Sequence, residues 1–411
     1  MSGRDPLMKP ARGGRSIWYS GRAWVRESAF LQWALAIFIA GFLAAWSTRF
    51  HRDSFYFLVL LPFVVSMTRA DWRLLFSCRV VQIVSLFLGY LLLSLVWSPP
   101  RGVEFVYDSV RYTLLTLGFV CAVAWVCSRS ISCLDRFLIV LVPTATAVLV
   151  YSVWIFYADH SFPSSRLSNM VFYRDNPIRG SVGFAFVALL GLAVALNGRR
   201  RALKAMGLIG LSVSLLFLLL AQSRGLLLGV AAGAALQLVW HRYWKCLAFS
   251  FAILVLGVAA LEFSDSGARG FIERADSQRL EIWAGTAERI SSAPILGEGI
   301  GADTSIVGSD GREYYSPHNV IFMSALVGGL VGLFLFLVVV GASFWRVGAH
   351  APRDPCGFLG GSLLVCGLVF LSVNSHDIID RVGPHFWIGL WLPLGLIAAS
   401  EMRAGRGLRL S

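Results

Sequence analysis

Charge is scarce in these 411 residues: Asp, Glu, Lys and Arg together make up 14%, against 57% hydrophobic. A water-soluble chain of this length needs more polar surface than that to cover its core. Signatures of nucleic-acid reading are also missing. The net charge of +13 would invite such a partner, but no zinc-finger spacing, RNA-binding motif or basic reading helix occurs, so nucleic acid is excluded as a partner. There is no Walker sequence and no Cys-x-x-Cys pair, which argues against nucleotide hydrolysis and a cysteine-held metal. Apart from their ends, the apolar runs hold no acidic residue. A transporter would place a coupling carboxylate near the bilayer midplane, so a polytopic transporter is the weaker reading.

What is present is long apolar runs, and these predict an all-α polytopic membrane protein of about 12 transmembrane helices. The runs lie near 28–47, 54–68, 80–97, 112–128, 136–157, 180–197, 205–221, 225–240, 245–262, 318–345, 357–374 and 385–400. With the N-terminus inside, the cytoplasmic segments hold 22 of the 36 Lys and Arg and the external segments 14. That bias predicts both termini in the cytoplasm, because basic residues near a span resist translocation. The layout expected is a basic cytoplasmic tail at 1–27, helices 1–9 over 28–262, a long external loop at 263–317, helices 10–12 over 318–400, and a cytoplasmic tail at 401–411. The N-terminal arginines lack a following cleavage site and read as a retained tail. None of the seven cysteines falls in an external segment, so no disulfide framework is expected. In the long loop, Asp276 and Ser277 read as N-caps of a short amphipathic helix. Leu280, Trp283, Ala284, Ala287 and Ile290 recur along its face, and Pro294 with Gly297, Gly299 and Gly301 ends it. Gly-Glu-Gly-Ile-Gly at 297–301 reads as a turn rather than a phosphate cradle, since no strand precedes it.

Three polar positions stand out on the external side. Arg224 lies in Gln-Ser-Arg-Gly between two closely spaced runs. An arginine so near hydrocarbon either grips an anion or snorkels to headgroups. Arg279, in Asp-Ser-Gln-Arg-Leu-Glu-Ile-Trp, reads either as a second anion ligand or as a solvated partner of Glu281 or Asp276. Arg269, Arg274 and Arg289 compete with it in the same segment. His318, in Ser-Pro-His-Asn, enters a span after Pro317. An imidazole there either takes a proton from a hydroxyl or caps the helix. The last external loop adds Asp377, Asp380 and Arg381.

The combination resembles the O-antigen ligase family of bacterial inner-membrane glycosyltransferases, within the ligase/polymerase superfamily. The matching residues are Ser223-Arg224-Gly225 with Leu228, Arg279 with Trp283 four residues on, and Pro317-His318-Asn319 followed by Gly329 and Gly332. The chain departs from the family at Val327-Gly328-Gly329, where many members carry a polar residue, so an acidic helper for the histidine stays unassigned. The resemblance implies a GT-C-like membrane glycosyltransferase architecture, a periplasmic active site and no cofactor or metal. It implies transfer of O-antigen polysaccharide from undecaprenyl diphosphate to a sugar hydroxyl of lipid A-core. In that role Arg224 and Arg279 would hold the diphosphate and His318 would be general base. Ser223, Trp283 and Asn319 would line the substrate site, and Arg174 and Arg179 would add a positive rim. An O-antigen polymerase or a protein O-oligosaccharyltransferase of the same superfamily is the alternative. The histidine-asparagine entry to the tenth span disfavours the polymerase.

Overall fold

The computed structural model describes residues 29–162, 165–174, 176–245, 268–307, 311–350, 354–375, 378–379 and 381–407. The expected N-terminal tail, the apolar run at 245–262 with Cys246, and Asp377 and Asp380 lie outside them.

The protein is nearly all helical. In chain order the helices are α1 (Phe30–Ala44), α2 (Thr48–Ser66), α3 (Arg69–Ser77), α4 (Arg79–Val96), α5 (Val103–Arg129) and α6 (Ser132–Asp159). They continue as α7 (Pro177–Asn197), α8 (Arg201–Leu220), α9 (Arg224–Trp240), α10 (Ala268–Ser292), α11 (Val320–His350) and α12 (Pro355–Leu371). The last, α13 (Leu392–Gly405), follows a turn at Pro384–Phe386 and a π-helical segment at Trp387–Trp391. Two short antiparallel strands, β1 (Ile306–Val307) and β2 (Glu313–Tyr314), pair Ile306 with Tyr314.

Among the described residues, α4, α5, α6, α7, α8 and α11 are long and apolar enough to cross a membrane. The bent pair α2–α3, with 105° between its halves, raises the number to seven if it counts as one span. Helices α1, α9 and α12 are apolar but shorter. This is a polytopic helical membrane protein.

Local sequence explains where the helices begin. Asn176 accepts from the Arg179 N–H and precedes Pro177 at the first position of α7. Asp354 and Pro355 repeat the device at α12, and Thr68 with Asp71 forms a capping box at α3. Helix packing relies on close backbone approach. A Cβ on Gly191 of α7 would stand 2.4 Å from the Gly207 carbonyl oxygen of α8, and the reverse contact is 2.5 Å. Small residues that bring backbones together are how helices associate where lipid removes the hydrophobic drive. The apolar core is rich in rings, with Trp387 lying against Phe38, Phe55 and Phe119 at centroid separations of 4.5 to 5.9 Å. Between α9 and α12, Gln237 donates to Ser362 Oγ at 2.9 Å and to the Leu189 carbonyl at 3.1 Å.

The amphipathic helix of the long loop is real but begins earlier than its sequence signals suggest. α10 is already helical at Ala268, so Asp276 and Ser277 stand inside it rather than at its N-cap. It ends at Ser292, two residues before Pro294, as expected. The expected span at 54–68 is broken: α2 starts at a Ser47 cap, passes through π-helix at Phe55–Leu60, and turns sharply into α3.

Candidate functional site

The site sits where α11 begins, α12 ends and α9 begins. Its centre is the Ser316-Pro317-His318-Asn319 turn. The Asn319 side-chain oxygen accepts from the N–H groups of Ile321 and Phe322 at 2.8 and 3.3 Å, which fixes the first turn of α11. Ahead of it, His318 adopts φ 51°, a left-handed conformation uncommon outside glycine. Ser316 is buried, donates to the Ser375 carbonyl at 3.1 Å, and lies 3.4 Å from His318 Nδ1. The imidazole is therefore held on a strained turn that is anchored to the segment just after α12.

That segment also receives the arginine turn. Gln222, with φ 49°, folds the chain back between α8 and α9, and Ser223 is buried beneath it. The backbone at Gly225 passes so close to residues 373 and 374 that a Cβ would stand 3.1 Å from Asn374 Nδ2. Residues 373–375 thus touch both motifs. Arg224 itself is exposed at the first position of α9.

The second arginine approaches along α10. Trp283 stacks on Phe322 of α11 with centroids 5.9 Å apart. Ile282 packs with Ile306 and Leu326 in a small separate core. This seats Arg279, one turn earlier, beside the histidine. The His318 pKa is pushed down from its ordinary value, first by burial and then by the Arg279 charge. Both causes favour the neutral imidazole, the form that can accept a proton.

A further feature holds α10 against α11. Gly329, in the middle of α11, has φ 60° and interrupts the helical ladder. The loop after α10 fills the gap: Glu298 and Gly299 donate to the carbonyls of Leu326 and Val327 at 2.9 Å. Leu330 and Val331 donate back to Pro294 and Ile295. A Cβ on Gly329 would lie 2.3 Å from the Ile295 oxygen. The motif glycine is thus the place where backbone replaces side chain. The turn at Gly297 and Gly299 is built on positive φ, as a chain-reversing glycine pair requires.

The remaining expected residues are more peripheral. Arg174 donates to the Met170 carbonyl at 2.8 Å and is exposed, while Arg179 lies in the first turn of α7. Their loop nonetheless reaches the arginine turn, because Leu167 donates to the Leu220 carbonyl at 2.9 Å and Arg166 Nε to that of Ala221 at 3.3 Å. Arg289 is engaged elsewhere: it forms a bidentate pair with Glu298 and donates to the carbonyls of Ser305 and Asp303. The side chains of Arg269 and Arg274 fall outside the description.

Several contributors escaped the sequence reading. Ser316 carries the imidazole's support, and its place two residues before the histidine in an x-Pro turn was the available signal. Arg101 donates to the carbonyls of Gly301 and Ala302, and Tyr90 to that of Gly328 at 2.7 Å. Neither has a local sequence signature. Beside the histidine turn opens a cavity of about 410 Å³, lined by Arg101, Asp303, Tyr315, Met323 and Arg381 among others. Among the described residues, no group of three or more His, Cys, Asp or Glu is placed to hold a metal ion.

Comparison with known proteins bears on this region. Residues 209–337 match the family model described as O-antigen ligase, Wzy_C. That interval contains the arginine turn, the Arg279 helix and the histidine turn. The chain is also 27% identical over 229 residues to a protein of Pseudomonas aeruginosa named O-antigen ligase. The aligned stretch is 55% of this chain and spans about half, 49%, of that relative's length. Both matches mark this chain as similar to the O-antigen ligase family.

Proposed function

We propose that this protein is a lipopolysaccharide O-antigen ligase, a glycosyltransferase of the bacterial inner membrane. It moves O-antigen polysaccharide from undecaprenyl diphosphate to a sugar hydroxyl of lipid A-core. The observation that carries the reading is that the His318 turn and the Ser223-Arg224-Gly225 turn both rest on residues 373–375, with Arg279 in electrostatic reach of the imidazole. Two guanidinium groups and a neutral imidazole at one end of the helix bundle match the needs of the reaction. Both substrates are amphiphiles, so an active site at the membrane–water boundary suits them.

In this mechanism Arg224 and Arg279 bind the diphosphate and stabilise the charge that grows on it as it leaves. His318 takes the proton of the acceptor hydroxyl as its oxygen attacks the anomeric carbon. The new glycosidic bond forms as the bond to the diphosphate breaks, and undecaprenyl diphosphate departs. One displacement inverts the anomeric centre. The departing group is already activated, so no nucleotide is consumed, and the two fixed cations stand in for a divalent metal. Ser223 and Trp283 shape the donor side, Arg174 and Arg179 form its rim, and the cavity beside Tyr315 receives the acceptor sugar. Asn319 contributes by setting where α11 begins.

The proposal extends to topology. It has twelve spans in a GT-C-like arrangement with both termini cytoplasmic, the loop at 263–317 in the periplasm, and tails at 1–27 and 401–411. The decisive experiment is ligation with purified protein, carrier-linked polysaccharide and lipid A-core. Polysaccharide-decorated lipid A-core and released undecaprenyl diphosphate support the proposal, with a chelator leaving the rate unchanged. Elongation of carrier-linked chains without decoration of lipid A-core would instead make it a polymerase.

A further inference from the structure

The end of the bundle opposite His318 holds a second cavity, of about 870 Å³, that the transfer chemistry does not use. Here α5 and α7 end and α6, α8 and α12 begin. Arginines crowd its lining: Arg129 and Arg136 from the α5–α6 connection, Arg199 and Arg200 from the α7–α8 connection, and Arg403 from α13. Two of them are held in place by aromatic faces, Arg136 at 5.7 Å from the Trp33 ring and Arg129 at 4.8 Å from Trp125. Opposing charge is limited. Asp354 is taken up by Arg403 at 2.6 and 2.8 Å, and Asp135 stands within electrostatic reach of both Arg200 and Arg136. Five cationic and two anionic side chains therefore share the lining. Arg403 is only 6% exposed, and its Nε is buried with no hydrogen-bond partner among the described residues. The rest of the wall mixes small polar groups, Ser128, Ser130 and Asn197 among them, with an apolar strip that includes Ile139 and Leu203.

We infer that this cavity is a binding site for the phosphodiester headgroup of an anionic phospholipid, with the acyl chains leaving along the Ile139–Leu203 wall. The chemistry is specific in two ways. Planar guanidinium groups match phosphate oxygens with paired donors, and basic pockets between helices at the membrane surface select anionic headgroups. A cavity with aromatic clamps differs from the general excess of basic residues at a membrane face, because Arg129, Arg136 and Arg403 are already oriented before a ligand arrives. The site is independent of the proposed transfer reaction.

The test uses the full-length protein in neutral detergent, titrated with short-chain phosphatidylglycerol, short-chain phosphatidylcholine or glycerol 3-phosphate. Thermal unfolding and the fluorescence of the cavity tryptophans report binding. Phosphatidylglycerol should give a saturable rise in Tm, weakened about tenfold or more in Arg136→Gln/Arg200→Gln. Arg136→Lys/Arg200→Lys keeps the charge but loses the paired donors, and should fall between the two. If the glutamine variant fails to fold, Leu203→Trp narrows the acyl wall and should weaken the lipid without touching the arginines. Equal responses to phosphatidylcholine and phosphatidylglycerol would overturn the inference, as would undiminished binding in the variants. Glycerol 3-phosphate matching the lipid would make this a soluble-anion site and would equally overturn it.

Discussion

The two ends of the helix bundle are built on different physical principles. At one end the backbone is broken open: His318 and Gln222 adopt left-handed conformations, α11 is interrupted at Gly329, and a glycine loop supplies the hydrogen bonds that the helix gives up. At the other end α12 starts on the Asp354 cap, and the same carboxylate forms a buried ion pair with Arg403. Strain of this kind persists only where surrounding structure enforces it, and it gathers where a group must be aimed. Under the proposed function, the contrast separates the groups that would do the chemistry from a buried ion pair that serves stability. Substitutions at the two ends should therefore fail in different ways.

The largest expected effect belongs to the closed end. Arg403→Ala would strand the Asp354 carboxylate in a buried setting and cost about 3–5 kcal/mol of stability. Thermal unfolding in detergent should register it, with transfer per folded molecule little changed. A variant with wild-type Tm would break the comparison. Next is Arg224→Ala at the open end. Loss of one cation from the developing charge should lower transfer about 100-fold, with Tm preserved because Arg224 is exposed. Steady-state assays beside unfolding curves would separate the two outcomes.

Gly329→Ala tests the junction between them. The left-handed backbone alone should cost about 1–3 kcal/mol, and the added carbon would meet the Ile295 oxygen. Both Tm and activity should fall together, because the loop that seats α10 loses its bed. The smallest effect is on pH dependence. The proposed base must be neutral His318, so the proposal expects a rate that is level at neutral pH and falls as pH drops through the histidine's lowered pKa. Arg279→Gln removes a cation that disfavours the imidazolium, so the pKa rises and the acid limb moves toward higher pH. Burial is the larger cause of the depression, so the limb should not return fully to the ordinary histidine range. A shift toward lower pH would contradict the placement of Arg279.

Much of the helical layout was legible because lipid enforces a simple rule. Long apolar runs with few charges must be helices, and the runs near 136–157, 180–197 and 318–345 correspond to α6, α7 and α11. The break in α2 was not legible, since Phe55–Leu60 reads as an ordinary apolar stretch and yet folds as π-helix. The start of α10 was misjudged for a related reason. Asp276 and Ser277 are good capping residues, yet the preceding segment is already helical. At the site, His318, Arg224 and Arg279 stood out by charge placed near apolar runs. The supports were less legible: Tyr90 and Arg101 act through carbonyls distant in sequence, which no local pattern announces, and Ser316 had only its place before Pro317 as a signal.

The most direct test of the central claim is single-turnover transfer by His318→Asn, measured with donor binding on the same preparation. Asparagine tolerates the left-handed backbone at this position, so the turn is kept and only the base is lost. The account predicts transfer reduced by about 10²–10⁴-fold, with carrier-linked donor bound as tightly as in the parent protein. Transfer at the parent rate would show that the imidazole is not the base and that the open end does a different job.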